Sequence, residues 1–198
     1  VLPYLEEEFA VPSTVHHCAS VLNHTKEMRL FRDFHDSWVE GPRSAWYRPA
    51  RVDGAPRPAW LRGHRLRPFQ SEKILFNKDL LLPGTIDMLY YVIIDGQMYI
   101  VMVDYKRSKA IKRIGFQDKR GYAPGFDHMA DTNISHYALQ LNCYTHMLHA
   151  MGHVVLAMYL CVLHPNQQAP IMVAVPHLPS ETDHIMRARK RQMSHPEE

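Results

Sequence analysis

Three residues carry the strongest chemical signal in the sequence: Asp87, Asp104 and Lys106. Asp95-Gly96, set between two apolar runs, is the pattern of a two-residue β-hairpin turn. With Ile94 facing Gln97 across that turn, counting outward along both strands brings Asp87 opposite Asp104, the carboxylates on one face with Cβ atoms roughly 4.5–5.5 Å apart. Like charges so placed in an apolar sheet repel, and desolvation adds to the cost, so the pair calls for a cation. A bound divalent ion is the natural one. Lys106 lies two residues beyond Asp104 and therefore points to the same side, where an ammonium can orient or deprotonate an attacking water and steady charge developing on a phosphate. Hard oxygen ligands without a cysteine cage predict Mg²⁺ or Mn²⁺ rather than Zn²⁺. The competing reading is a pair of strand-end charges reaching solvent.

Positioning such a group requires a sheet covered on both sides. Residues 85–94 and 97–105 are expected to form the two hairpin strands. Ile86, Met88, Tyr90, Val92, Tyr99, Val101 and Val103 fall on one face; Leu89, Tyr91, Ile93, Met98, Ile100 and Met102 fall on the other. Before them, 71–77 reads as a short strand, followed by Leu80-Leu81-Leu82 and a Pro83-Gly84 turn. After them, 107–132 is basic and irregular, with Phe116, Tyr122 and Phe126 interleaved. Residues 133–151 read as a helix closed by Gly152. Residues 154–163 and 171–175 read as strands, and 180–193 as a helix with Ser180 near its N-cap. Towards the N-terminus, 12–39 is helical in pattern, and 41–68 combines prolines with Trp46, Tyr47 and Trp60 in a long loop or arm. The expected fold is α/β: a mixed central sheet of about five strands flanked by helices. A single domain is expected over 1–198, with a helical part at 1–40, the Arg/Pro-rich arm at 41–69 and a catalytic core at 70–198.

With 198 residues, 46% of them hydrophobic and 22% charged, the chain can bury one substantial core. No run of about 18 apolar residues is present and residues 1–8 lack a signal-sequence pattern, so a soluble chain with no membrane partner is expected. Cys18, Cys143 and Cys161 are widely spaced and read as buried thiols in a reducing, intracellular compartment, too few for an iron–sulfur cluster. Net charge is only +3, but basic residues cluster. One cluster is Arg43, Arg48, Arg51, Arg57, Arg62, Arg65 and Arg67. A second is Lys106, Arg107, Lys109, Lys112, Arg113, Lys119 and Arg120, and a third comprises Arg187, Arg189, Lys190 and Arg191. A solvated face is the commoner meaning of one such run. Three of them with aromatics interleaved favour phosphate and base contacts, with Arg107, Lys109, Lys112, Arg113, Lys119 and Arg120 the candidates nearest the carboxylates.

Gly84-Thr85-Ile86-Asp87, then Val103-Asp104-Tyr105-Lys106-Arg107, then Gln140-Leu141-Asn142-Cys143-Tyr144 resembles the GxxD…DxK…QxxxY signature of RecB-type nucleases in the PD-(D/E)XK superfamily. The likeness runs in order over roughly residues 70–165, and three ordered motifs are far more specific than a lone DxK. The resemblance implies a restriction-endonuclease-like core in which Asp87 and Asp104 bind metal, the Tyr105 carbonyl adds a ligand and Lys106 is the catalytic lysine. Gln140 and Tyr144, one helical turn apart, would brace the site or touch the substrate backbone. Glu72 resembles an upstream acidic residue of this group, against the alternative of a surface salt bridge. In a pattern like GTxxH, His17 stands at the offset of a histidine metal ligand, although Ser13 replaces the glycine; His35 competes for that role.

The expected activity is Mg²⁺- or Mn²⁺-dependent hydrolysis of phosphodiester bonds in single- or double-stranded DNA, an exonuclease before an endonuclease. The alternatives are a nucleic-acid-binding module that keeps the fold without turnover and a hydrolase of small phosphoesters.

Overall fold

The computed structural model describes residues 25–40, 51–52, 58–61, 63–108, 119–121 and 123–195. Among them, α1 spans Lys26–His35 and runs into a turn of π-helix, Asp36–Glu40. The strands are β1 (Arg51–Val52), β2 (Arg67–Asn77), β3 (Leu82–Ile94), β4 (Gln97–Lys106), β5 (Val155–Val162) and β6 (Ile171–Val175). Helix α2 (Asn133–Ala150) joins β4 to β5, and α3 (Pro179–Ser194) follows β6. All six strands form one mixed sheet in the order β1-β6-β5-β4-β3-β2. The α/β class with flanking helices agrees with the sequence. The strand count rises from five to six because Arg51–Val52, inside the expected arm, adds in parallel to the β6 edge.

Two apolar clusters show how the sheet is covered. Leu75, Ile86, Leu89, Ile100, Met102 and Leu160 pack with Ala138, Leu141 and Leu148 of α2. On the other face Tyr90, Val92, Val101, Val103 and Cys161 pack with Phe34 and Trp38 from the α1 segment. The two-sided burial inferred from the hairpin is thus met by helices on each side, although Ile93 and Met98, next to the turn, stay exposed.

The local reasons are conventional ones. Asp95 (φ +50°) and Gly96 (φ +78°) form the expected tight turn, with Ile94 opposite Gln97. Thr132 caps α2 by accepting a hydrogen bond from the Ser135 amide at 3.2 Å. Gly152 (φ +86°) closes it: the Gly152 amide donates to the His149 carbonyl and the His153 amide to the Leu148 carbonyl. Ser180 is not the cap of α3. Leu178 holds that position without a side-chain bond, and Pro179 starts the helix, its missing N–H costing nothing there.

The start of α3 is tied instead to α2 by Asn142, which is 4% exposed. Its Nδ2 donates to the carbonyls of Ala138 and Pro176 at 2.8 and 2.9 Å, and its Oδ1 accepts from the Leu178 amide at 2.7 Å. Asn142→Leu strands the Pro176 and Leu178 backbone groups, and a loss of about 3 kcal/mol is expected in urea unfolding.

Two sequence expectations on the β2–β3 hairpin are corrected. Pro83-Gly84 is not the turn: both residues lie inside β3, paired with Phe76 and Leu75. The turn is one step earlier, over 78–81, where Asn77 Oδ1 accepts the Leu80 amide at 3.1 Å and Leu81 takes a left-handed φ of +45°. Secondly, Ile86 packs with Leu89 rather than on the Met88 and Tyr90 face, so strict alternation breaks at Asp87.

Candidate active site

That break coincides with the end of the β3–β4 ladder, whose last pair is Met88–Val103. Asp87 and Asp104 are therefore not the directly paired residues that the extrapolated register implied. Asp87 instead reaches across with its side chain, and its Oδ2 accepts the Tyr105 amide at 2.8 Å. A carboxylate thus takes the place of the next backbone partner, which fixes the acid at the mouth of the strand pair.

β4 continues past this point only against β5, with Asp104 beside Leu160 and Lys106 beside Val162. Alternation along β4 sends Met102 to the α2 side and Val103 to the α1 side, so Asp104 and Lys106 follow the α2 side. Tyr105 goes the other way: its hydroxyl shares a 2.9 Å hydrogen bond with that of Tyr90, and its ring meets Phe31 and Phe34 edge-on. Burial pushes the Tyr90 hydroxyl up to about 12 and raises that of Tyr105 further, so both stay protonated and act as anchors rather than as acids or bases.

Asp104 is the buried charge of the site, its side chain 5% exposed. Lys106 Nζ stands 2.6 Å from its Oδ2 and 4.6 Å above the Tyr137 ring of α2. The ammonium is the partner of that buried oxygen, at ion-pair distance. Burial raises the Asp104 pKa, Lys106 pulls it down, and the charge of Asp87 raises it again; the net shift is upward, so desolvation outweighs the lysine.

Gln140 and Tyr144 follow Tyr137 along α2, the Gln140 amide donating to the Tyr144 hydroxyl at 2.8 Å, with the Tyr144 ring against β3. Gly84 explains why Tyr144 lies there. A Cβ on Gly84 would come within 2.4 Å of Tyr144 Cε1, so the ring rests on bare backbone. The first and third motifs thereby touch. Tyr137 was not among the residues singled out in the sequence, though it shares their helical stripe, three positions before Gln140 and seven before Tyr144.

The remaining candidates are spread more widely. Glu72 is exposed on the edge strand β2, between the pairs Ser71–Met88 and Lys73–Ile86 and hence level with Asp87, in a left-handed conformation (φ +47°). A left-handed φ is strained for glutamate. Arg107 is bonded through Nε to Glu27 of α1 at 2.9 Å, holding the end of β4 against that helix. The helix-end backbone N–H groups and Arg107 together hold the Glu27 carboxyl below its ordinary range. Lys119 and Arg120 are exposed where two strand-like stretches meet, Arg120 opposite Ala130, and the Arg120 guanidinium donates to the His128 carbonyl at 3.1 Å. His35 stacks at 6.0 Å from Phe31. His17, Lys109, Lys112 and Arg113 lie outside the described residues.

Among the described residues no three His, Cys, Asp or Glu side chains converge on one point. The site as described offers a metal two carboxylates, with a backbone carbonyl available beside them. That donor set, with a buried Asp104 carboxylate that here faces the Lys106 ammonium, fits a hard divalent cation such as Mg²⁺, which commonly binds through one or two carboxylates and fills its shell with water and phosphate oxygens. Comparison with protein-family models finds no match, and comparison with curated proteins finds no significant relative. No helix among the described residues is long and apolar enough to cross a membrane.

Proposed function

We propose that the chain is a metal-dependent nuclease with a PD-(D/E)XK core that hydrolyses phosphodiester bonds in DNA, working as an exonuclease. The observation that carries this reading is Asp104: a buried carboxylate oxygen whose partner is Lys106, next to a second carboxylate held by the Tyr105 amide. Mg²⁺ or Mn²⁺, when bound, would polarise the phosphate and make water a better nucleophile. Asp87 and Asp104 would hold the ion, Asp87 in an orientation set by its backbone bond. Lys106 would direct the attacking water and offset charge on the phosphate oxygens, steadied by the Tyr137 ring. Gln140 and Tyr144 would define the upper wall against which the strand is laid.

The test is incubation of labelled single- and double-stranded DNA with Mg²⁺ or Mn²⁺, linear and circular. Wild type is expected to cleave only with metal and to spare circles, and Asp104→Ala and Lys106→Ala to be inactive. DNA binding without cleavage by wild type would identify a binding module instead. Arg107→Ala is expected to reduce the slope of log affinity against log salt by about one, as removal of one phosphate contact does. An unchanged slope in a salt titration would assign Arg107 to the Glu27 contact alone.

A further inference from the structure

Arg107 is the first residue past β4 and the chain neighbour of Lys106, with Cα atoms about 3.8 Å apart. The Leu163 amide donates to the Lys106 carbonyl at 2.9 Å, so the backbone there is fixed to the chain leaving β5. Helix α1 meets this stretch in step. Phe31 packs edge-on against Tyr105 at 5.6 Å, and Glu27, one helical turn before Phe31 on the same face, meets Arg107 just beyond Tyr105. The bond runs from Arg107 Nε to Glu27 Oε1 at 2.9 Å. It takes the side edge of the guanidinium and leaves the two Nη groups at its tip without a hydrogen-bond partner among the described residues, on a side chain that is 68% exposed.

We propose that Glu27 is a positioning residue: by holding Nε it sets the Arg107 fork for the phosphate next to the one that Lys106 faces, so that the substrate is a polynucleotide strand and not a small phosphoester. The proposal rests on the nuclease reading. The free end of the guanidinium selects the ligand, because two parallel N–H donors in one plane match two oxygens of a single phosphate. Its place selects which phosphate. Lys106 and Arg107 are consecutive, so consecutive phosphates of one strand can meet them, whereas a small phosphoester has no second phosphate to offer. Glu27 supplies the order. A free arginine loses its rotamer freedom on binding, but this one is held beforehand by a helix whose Phe31 and Phe34 are packed on the sheet. Its own amide and Arg107 keep the Glu27 carboxyl below its ordinary range, so the tether persists at neutral pH. Because Glu27 uses the Nε edge, it does not occupy the donors that phosphate would take.

The experiment is a scan of a short single-stranded oligonucleotide in which one phosphate at a time is replaced by an uncharged methylphosphonate, with binding measured by fluorescence anisotropy in EDTA. Wild type is expected to lose about tenfold or more in affinity at one linkage, the scale of a charge-assisted hydrogen bond. Arg107→Ala should bind the intact strand as weakly and ignore that linkage. Glu27→Ala should blunt the same linkage even though it removes a negative charge, and should add nothing in the Arg107→Ala background. Glu27→Gln, which keeps the acceptor, should restore the sensitivity. Glu27→Asp keeps the charge at the helix start but falls short of Arg107, and it decides the matter if Glu27→Ala does not fold by circular dichroism. A flat scan in wild type would overturn the proposal. So would tighter binding by Glu27→Ala, which would make the acid a competitor of phosphate, or a Glu27→Ala scan like that of wild type. Because binding is read without metal, a position-specific loss in a protein that cleaves nothing refutes the nuclease reading and leaves the phosphate contact standing. Metal-dependent cleavage with a flat scan does the reverse.

Discussion

Asp104→Asn is expected to reduce DNA cleavage by about 10³-fold or more, the scale on which loss of one preorganised electrostatic group lowers turnover, while leaving the folded protein at least as stable at neutral pH. The two effects have one cause. Burial holds the Asp104 pKa above its ordinary 3.8 despite the nearby ammonium, so the folded state binds its proton more tightly than the unfolded chain does. The stabilisation linked to that proton is fully present below the unfolded pKa and is lost as pH rises through the folded one. Above that folded pKa wild type carries an ionised, desolvated carboxylate at a cost in stability that the amide does not incur. Thermal melts from acid to neutral pH should show a fall in wild type that Asp104→Asn lacks. Destabilisation of this variant at neutral pH would mean that the Lys106 pair outweighs desolvation, against the direction of the shift.

Gly84→Ala is the second large effect, and it acts at a distance from the charges. The added methyl would meet Tyr144 Cε1 at 2.4 Å and Cδ1 at 2.9 Å. The ring is carried by α2, whose Ala138, Leu141 and Leu148 are locked into the core, so the helix cannot simply ride up. Overpacking of this kind costs about 1–3 kcal/mol. By shifting α2 it should also displace Tyr137 from above Lys106, lowering cleavage along with stability. Tyr144→Ala relieves the contact, so urea unfolding of the double variant should show a smaller loss than the two single losses added together. Additive losses would show that Gly84 is needed for its backbone and not for the ring above it. Tyr144→Phe, which keeps the ring and deletes only the bond from Gln140, is the control for that bond.

The parts of this arrangement that the sequence revealed are those governed by short-range rules. Asp95-Gly96 dictates a tight hairpin turn, the continuous apolar runs on both sides of it require cover on two faces, and Gly152 ends α2 by taking a left-handed φ. What it concealed depends on long-range packing. Pro83-Gly84 has the composition of a turn, but Tyr144, sixty residues later, needs the bare backbone of Gly84 inside a strand. Extrapolating the register from Ile94–Gln97 held as far as Met88–Val103 and then failed, because Asp87 substitutes its carboxylate for a backbone partner and alternation breaks with it. Arg51–Val52 is too short to show a pattern of its own and is a strand only because β6 lies beside it. Tyr137 escaped notice because its role is to sit over Lys106, a contact made across the βαβ crossover.

Titration of the protein with Mn²⁺, followed by water-proton relaxation in the absence of DNA, tests the central assignment most directly. Wild type should show saturable binding that Asp87→Asn and Asp104→Asn each abolish. Lys106→Ala should bind Mn²⁺ at least as tightly as wild type, because the ammonium 2.6 Å from Asp104 Oδ2 competes with a cation for the same oxygen. Binding that survives unchanged in both aspartate variants would contradict the account and place any metal elsewhere in the chain.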